Sequence, residues 1–184
     1  MTFPSAARPL PAWPWSPPLN RIAVPVAWRY VLLRTADTAV AVTNVSATPE
    51  GVLLSLVTRV RPVEGDPEGP LNGMPTGLRF GVRLPDGSTA SNDEPARDVQ
   101  RLPFAPGHHL SSLGGSAGGT VAQQDYWLWP LPGPGTLAFA CSWSGRGAPE
   151  TVIEIDTAPL LQAAVLSEEL WPLTTLSRPG PAPA

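Results

Sequence analysis

Short runs of alternating apolar and polar residues, separated by turn residues, recur along this chain. The clearest is residues 78–84 (LRFGVRL), where Leu78, Phe80 and Val82 point to one side and arginines to the other. Alternation with a period of two is typical of a β-strand with one buried face. Other apolar or β-rich runs bounded by turn residues predict strands at residues 22–33, 39–47, 52–61, 88–91, 120–129, 136–143 and 151–156.

The connections between these strands differ in kind. The four residues TPEG between residues 39–47 and 52–61 predict a hairpin. The PLPGPG segment predicts that strand 120–129 meets strand 136–143 in a second hairpin. Residues 92–119 are predicted to be irregular and end in GGSAGG, which lacks the Lys-Ser/Thr pair of a phosphate-binding loop and reads as a flexible linker.

The succession of short strands predicts an all-β protein, an immunoglobulin-like β-sandwich of seven or eight mostly antiparallel strands. Asp156 or Thr157 can cap a short helix over about residues 158–169, with a proline in its first turn. Residues 1–20 hold six prolines and predict an extended N-terminal arm. The predicted organisation is therefore an arm (1–20), a sandwich domain with its terminal helix (21–172) and a flexible tail (173–184).

Composition narrows the class of protein. The chain has 184 residues, 42% of them hydrophobic, which suits one core. Its 12 basic residues are all arginine against 15 acids, a net charge of −3, so nucleic-acid binding is not expected. The single cysteine, Cys141, predicts a buried thiol and no disulfide within the chain. No segment suits a signal peptide or a membrane span, so we expect a cytoplasmic protein without a membrane partner.

His108 and His109 are the two histidines of the chain. Adjacent residues of an extended chain point to opposite sides, so this pair is unsuited to holding one metal ion, and no metal or cofactor is predicted. A histidine acting as general base also needs a nucleophile and an orienting acid. Ser111 and Ser112 are near in sequence but lie in no GxSxG-like elbow, so no catalytic residue is assigned.

The tryptophans are the most unusual feature. Trp127 and Trp129 lie in QQDYWLWP, and Trp13 and Trp15 lie in PAWPWSPP. Each pair is spaced two residues apart, so its members share a face in extended chain. Such a face could stack a sugar or a proline-rich peptide, or the arm could lie across Trp127 and Trp129. We favour coverage by the arm, because four exposed tryptophans would form a large adhesive patch.

Five segments taken in order, PAWPW, RLPDGS, GGSAGG, QQDYWLWPLPGPG and FACSW, resemble a group of short all-β proteins from high-GC Gram-positive bacteria. The resemblance spans most of residues 10–171. That group has no known activity, so the resemblance implies no functional residue.

The sequence therefore predicts a non-enzymatic binding or protein-interaction module whose partner is an unidentified protein or small ligand. The candidate ligand contacts are Trp13, Trp15, His108, His109, Trp127 and Trp129. Two alternatives remain open. One is a carbohydrate-binding domain with an exposed tryptophan platform, and the other is a small hydrolase that uses His108 or His109.

Overall fold

Antiparallel strands make up most of the described chain. The structure is a computed structural model that describes residues 16–62, 71, 75–92 and 107–172. Its strands are β1 (Arg21–Ile22), β2 (Val24–Pro25), β3 (Tyr30–Arg34), β4 (Thr38–Ala47), β5 (Val52–Val60), β6 (Leu78–Arg83), β7 (Thr89–Ser91), β8 (His109–Gly118), β9 (Val121–Trp129), β10 (Thr136–Trp143), β11 (Ala148–Asp156) and β12 (Glu168–Glu169). One α-helix, α1, spans Ala158–Val165.

The strands form two main sheets around a shared core, which confirms the predicted all-β, sandwich-like fold. One sheet has the order β2-β4-β5-β9-β8, with β3 also paired to β4, and the other has the order β11-β10-β6-β7. Strands β1 and β12 form a separate two-stranded ribbon. The strands outnumber the predicted segments because residues 22–33 break into several short strands and because β8 and β12 were not expected.

The inward positions of the alternating strands fill the space between the sheets. Phe80 of β6 lies with its ring centroid 5.7 Å from Tyr126 of β9, so an aromatic pair joins the two sheets. Phe139 of β10 lies 5.7 Å from Phe80 and 6.4 Å from Trp28, which precedes β3. These four rings form a continuous aromatic cluster within the core.

The hairpin predicted at TPEG is confirmed. The Thr48 amide donates to the Gly51 carbonyl at 2.9 Å, and the Gly51 amide donates to the Thr48 carbonyl at 3.2 Å. The second predicted hairpin is wrong, because β9 pairs with β5 and β8 while β10 pairs with β6 and β11. The PLPGPG segment instead carries the chain from one sheet to the other. Thr157 anchors it, since its hydroxyl accepts a hydrogen bond from the Gly135 amide at 3.0 Å.

Two further expectations need correction. Residues 109–118 are the strand β8 and not an irregular loop, because β9 supplies a backbone partner along their whole length. The helix starts where predicted but ends at Val165, since residues 168–169 leave it to pair with β1. Leu160, Ala163 and Ala164 pack on the sheet, whereas Val165, the last residue of the helix, is exposed.

Candidate functional site

The aromatic stretch of β9 has one face in the core and one outside it. Tyr126 and Leu128 point into the core. Trp127 and Trp129 therefore point to the outer face of the six-stranded sheet. There Trp127 lies opposite Leu53 of β5 and Ser111 of β8 in the strand register. Strand β9 is apolar on both faces at this end because both faces are packed there.

Trp127 is fully buried although it lies on the outer face, with 0% of its surface exposed. Its ring sits against Gly51, where an added Cβ would lie 2.7 Å from a ring carbon. Glycine is therefore required at that turn for close packing. A sugar-stacking platform needs an exposed indole face, and Trp127 offers none. Trp129 is half-buried.

Trp13 and Trp15 lie outside the described residues, as does most of the predicted arm. The described chain begins at residue 16. The proposal that the arm covers Trp127 and Trp129 therefore stays a prediction.

His109 is the first residue of β8 and lies opposite Trp129 of β9. Their rings are close to parallel, at 17°, with centroids 6.0 Å apart. His108 points elsewhere, towards the turn before β7, as expected for adjacent residues in extended chain. The structure thus separates the two histidines and joins one of them to the tryptophan face.

His108 meets a serine and an aspartate that sequence reasoning did not connect with it. Its Nδ1 lies 3.0 Å from the Ser88 hydroxyl and 3.8 Å from Asp86 Oδ2. The Ser88 hydroxyl donates to Asp86 Oδ1 at 2.6 Å, and the Ser88 amide donates to the same oxygen at 2.9 Å. The only sequence signal was the turn segment PDGS, in which an aspartate typically bonds the residue two places on.

The hydrogen bonds among His108, Ser88 and Asp86 do not run in the directions found in a Ser-His-Asp catalytic triad. In such a triad the serine proton is received by histidine, and the acid holds the other ring nitrogen. Here the Ser88 hydroxyl donates its hydrogen bond to Asp86 Oδ1, so towards His108 it acts as the acceptor. Both neighbours also meet the same nitrogen, Nδ1. The arrangement stabilises the turn at Gly87 and ties it to the start of β8.

The pKa of His108 gives this cluster a measurable signature. Burial lowers the pKa of His108 below its ordinary value of 6.5; Asp86 opposes the shift and His109 adds to it. The unfolded chain therefore binds a proton at His108 more readily than the folded chain does. The contribution of neutral His108 to the free energy of unfolding is complete above about pH 6.5 and is lost as the pH falls. We expect the free energy of unfolding of the wild type to decrease, relative to His108→Gln, between about pH 7.5 and about pH 5.5.

Urea unfolding of both proteins at several pH values measures this difference. A wild type that gains stability over His108→Gln on acidification would show that the pKa of His108 is raised, contrary to the burial argument.

A polar network occupies the middle of the outer face. The Ser55 hydroxyl of β5 donates to Asp125 Oδ1 of β9 at 2.6 Å. The Gln123 side chain donates to the same carboxylate oxygen at 3.0 Å. Cross-strand pairing therefore satisfies this carboxylate, which is held in place between β5 and β9.

Strand β8 forms one edge of the six-stranded sheet, and among the described strands it pairs only with β9. A bulge interrupts the pairing between Ser112 and Gly114. The Gln124 side chain holds the bulge by donating to the Ser112 hydroxyl at 2.8 Å and to the Gly114 carbonyl. The residues of the second half of β8 are exposed. This edge begins at His109 and is exposed from Ser112 to Gly118.

Other chemistry-bearing groups contribute little to a site. Cys141 is buried and unpaired, as predicted, and burial raises the pKa of its thiol to about 12, which disfavours the reactive thiolate. Within the described residues, no three histidine, cysteine or acidic side chains gather closely enough to hold a metal ion. In the same residues no helix is long and apolar enough to cross a bilayer.

Comparison of the chain with protein-family models, curated proteins and solved structures gives no match.

Proposed function

We propose that this chain is a non-enzymatic interaction module of the cytoplasm that captures an extended segment of another protein by adding it as a strand to β8. The observation that carries the proposal is the exposed edge of β8. A strand at a sheet edge presents unpaired backbone N–H and C=O groups, and an extended peptide can pair with them. Backbone pairing supplies affinity, and side chains beside the edge supply selectivity.

The other edges of the two main sheets carry the features that prevent such pairing. Proteins protect edges with charges, prolines or very short strands. Strand β7 has only three residues. The remaining edge strands β2, β3 and β11 contain prolines or charged residues, namely Pro25, Arg34, Pro149, Glu150, Glu154 and Asp156.

Strand β8 lacks those protective residues. It runs for ten residues, HLSSLGGSAG, with no lysine, arginine, acid or proline. Its side chains beyond Leu113 are serine, alanine and glycine, so they do not obstruct an approaching backbone. Leu113 sits at the bulge and is 43% exposed, which offers one apolar contact to a bound strand. The contrast with β11 indicates an edge that is open for pairing.

The ring pair of His109 and Trp129 lies at the start of the same edge. Both residues are half-buried. Aromatic surface beside a pairing edge can receive one side chain of the added strand. This gives two of the residues predicted from sequence a role in selectivity. Trp127, which is fully buried, lies on the same face of β9, two residues from Trp129.

Lysines on the edge test the proposal. Random peptides of ten residues, the length of β8, are selected by display against the wild type. We expect Leu113→Lys combined with Ser116→Lys to weaken binding of the selected peptides at least roughly tenfold, because lysines block edge pairing. Isothermal titration measures the affinities, and circular dichroism checks that the variant is folded.

The control places two lysines on the edges of the other sheet, at the exposed positions Thr89 and Val152. It matches the change in charge and should bind as the wild type does. Failure to select any peptide, or equal weakening in both variants, would overturn the proposal. Sedimentation of the chain alone adds a check, since a dimer dissociated by the β8 lysines would make a second copy the occupant instead of a different protein.

A further inference from the structure

A groove lies on the outer face of the six-stranded sheet, on the flank away from β8. Its volume is about 1310 Å³, and it runs over β4 between β5 and the chain that links β2 to β3. The floor is built from small apolar side chains, among them Ala39, Ala41 and Val57. They point outward because the residues between them, such as Val40 and Val42, fill the core.

Three arginines surround this floor. Arg29 and Arg59 line the groove. Arg34 and Arg59 both lie opposite Ala39 in the strand register, one on each side of β4, so they flank that alanine on the same face. All three side chains are exposed. The floor is thus an apolar strip bordered by positive charge.

These arginines are distinguished by having no counter-charge. Within the described residues, none of the three forms an ion pair, and no acidic residue lines the groove. By contrast, Arg21, Arg83 and Arg146 each meet a carboxylate. A chain with a net charge of −3 therefore places three arginines around one apolar surface where the described residues provide no carboxylate partner. Such a surface is complementary to an anionic, amphipathic ligand.

The size of the groove and the pairing of its floor strand β4 indicate which kind of ligand it can bind. Small-molecule pockets typically enclose about 300–1,000 Å³ and bury most of the ligand. This groove exceeds that range and is open to solvent. Its floor strand β4 is paired on both sides, with β5 on one and with β2 and β3 on the other, so it offers no backbone partner to an added strand. A helix satisfies its own backbone hydrogen bonds and needs only side-chain contact.

We propose that this groove binds an amphipathic helix of a partner protein, with the apolar stripe of the helix on Ala39, Ala41 and Val57 and acidic residues beside Arg29, Arg34 and Arg59. The site is separate from the β8 edge, because β9 lies between β8 and β5, whose Val57 and Arg59 line the groove. Helix binding in the groove is therefore tested independently of strand addition at β8.

The test uses two synthetic helical peptides of about eighteen residues, long enough to span the sheet. Both carry the same leucine stripe; one has glutamates and the other lysines on its flanks. Fluorescence anisotropy measures their affinity for the full chain. We expect the glutamate peptide to bind and the lysine peptide to bind at least roughly tenfold more weakly, with an affinity for the former that falls as salt is added.

Variants of the groove locate the binding. Arg34→Gln combined with Arg59→Gln should weaken the glutamate peptide roughly tenfold. Ala41→Tyr should weaken it as well, because the ring fills the floor without changing charge. The matched control is Arg79→Gln combined with Arg83→Gln, which removes the same charge from exposed positions of β6 in the other main sheet, and its affinity should stay within about twofold of the wild type. Leu113→Lys with Ser116→Lys should leave helix binding unchanged.

Three results would overturn the proposal. The first is no binding of the glutamate peptide at its solubility limit. The second is equal weakening by the groove and control variants, which would indicate attraction to net charge alone. The third is binding to vesicles of anionic phospholipid that depends on Arg34 and Arg59 while the peptide does not bind, which would make the groove a membrane contact. Melting curves of every variant confirm that it is folded.

Discussion

Trp127→Ala is expected to lower the free energy of unfolding by about 3–5 kcal/mol. The indole is fully buried and packs against the Gly51 turn, so truncation removes its contacts and leaves a cavity. An exposed ligand platform would behave differently, since surface substitutions usually change stability by less than about 0.5 kcal/mol. Urea unfolding followed by far-ultraviolet circular dichroism gives the value without relying on tryptophan emission.

Trp171→Ala is the matched control, because this tryptophan is 51% exposed. Its loss should stay within about 0.5 kcal/mol. Trp127→Phe keeps a ring in the site and should show a smaller loss than Trp127→Ala, which provides a measurement if the alanine variant does not fold. Equal, small losses for Trp127→Ala and Trp171→Ala would contradict a structural role for Trp127.

Phe139→Ala is the second large effect, again about 3–5 kcal/mol. Phe139 is buried on β10, and its ring lies between Phe80 and Trp28. Removal of the ring breaks the contacts of Phe139 with Phe80 and Trp28 within the aromatic cluster. Because whole domains are stable by only about 5–15 kcal/mol, this loss is a large share of the total.

Phe139→Leu shows how much of the loss in the free energy of unfolding comes from the lost volume of the side chain and how much from the lost aromatic ring. Leucine refills most of the site, so we expect a loss clearly smaller than that of alanine. Thermal and urea unfolding of both variants measure the two losses. If Phe139→Ala were no more destabilising than Phe139→Leu, the packing of this ring in the core would not stabilise the fold.

The strands that could be predicted from sequence are those whose alternation is local. Strands β5, β6 and β10 bury one face against the core, so most of the residues on that face are apolar and the pattern shows which side is inside. The TPEG hairpin could be predicted for a similar reason, since its turn residues close a connection between neighbours in sequence. Burial of Cys141 followed from the same alternation.

Strand β8 could not be predicted in this way. Its composition is that of a linker, and its exposed half has no buried face to impose alternation. Pairing with β9 and the clamp that Gln124 makes across the bulge hold it extended. Gly115 is required here, because a Cβ would collide with the carbonyl oxygen of Gln123. Glycines that suggested flexibility therefore permit close pairing of strands.

The assignment of strands to sheets was also beyond the local pattern. Nothing within PLPGPG distinguishes a hairpin from a crossover between sheets. The outcome depends on distant strands, since β9 pairs with β5 and β10 pairs with β6. The meeting of His108 with Ser88 has the same origin, since the two residues are separated by 20 positions. The edge position of β8 and the grouping of Arg29, Arg34 and Arg59 around β4 become visible only once the strand order is known.

Amide hydrogen exchange of β8 with and without a selected ten-residue peptide tests the central claim most directly. Strand addition predicts new protection at alternate residues of β8, because only every second N–H points away from β9. The remaining amides of β8, already bonded to β9, should change little. Protection that appears only outside β8, or none at all while the peptide is bound, would contradict strand addition at this edge.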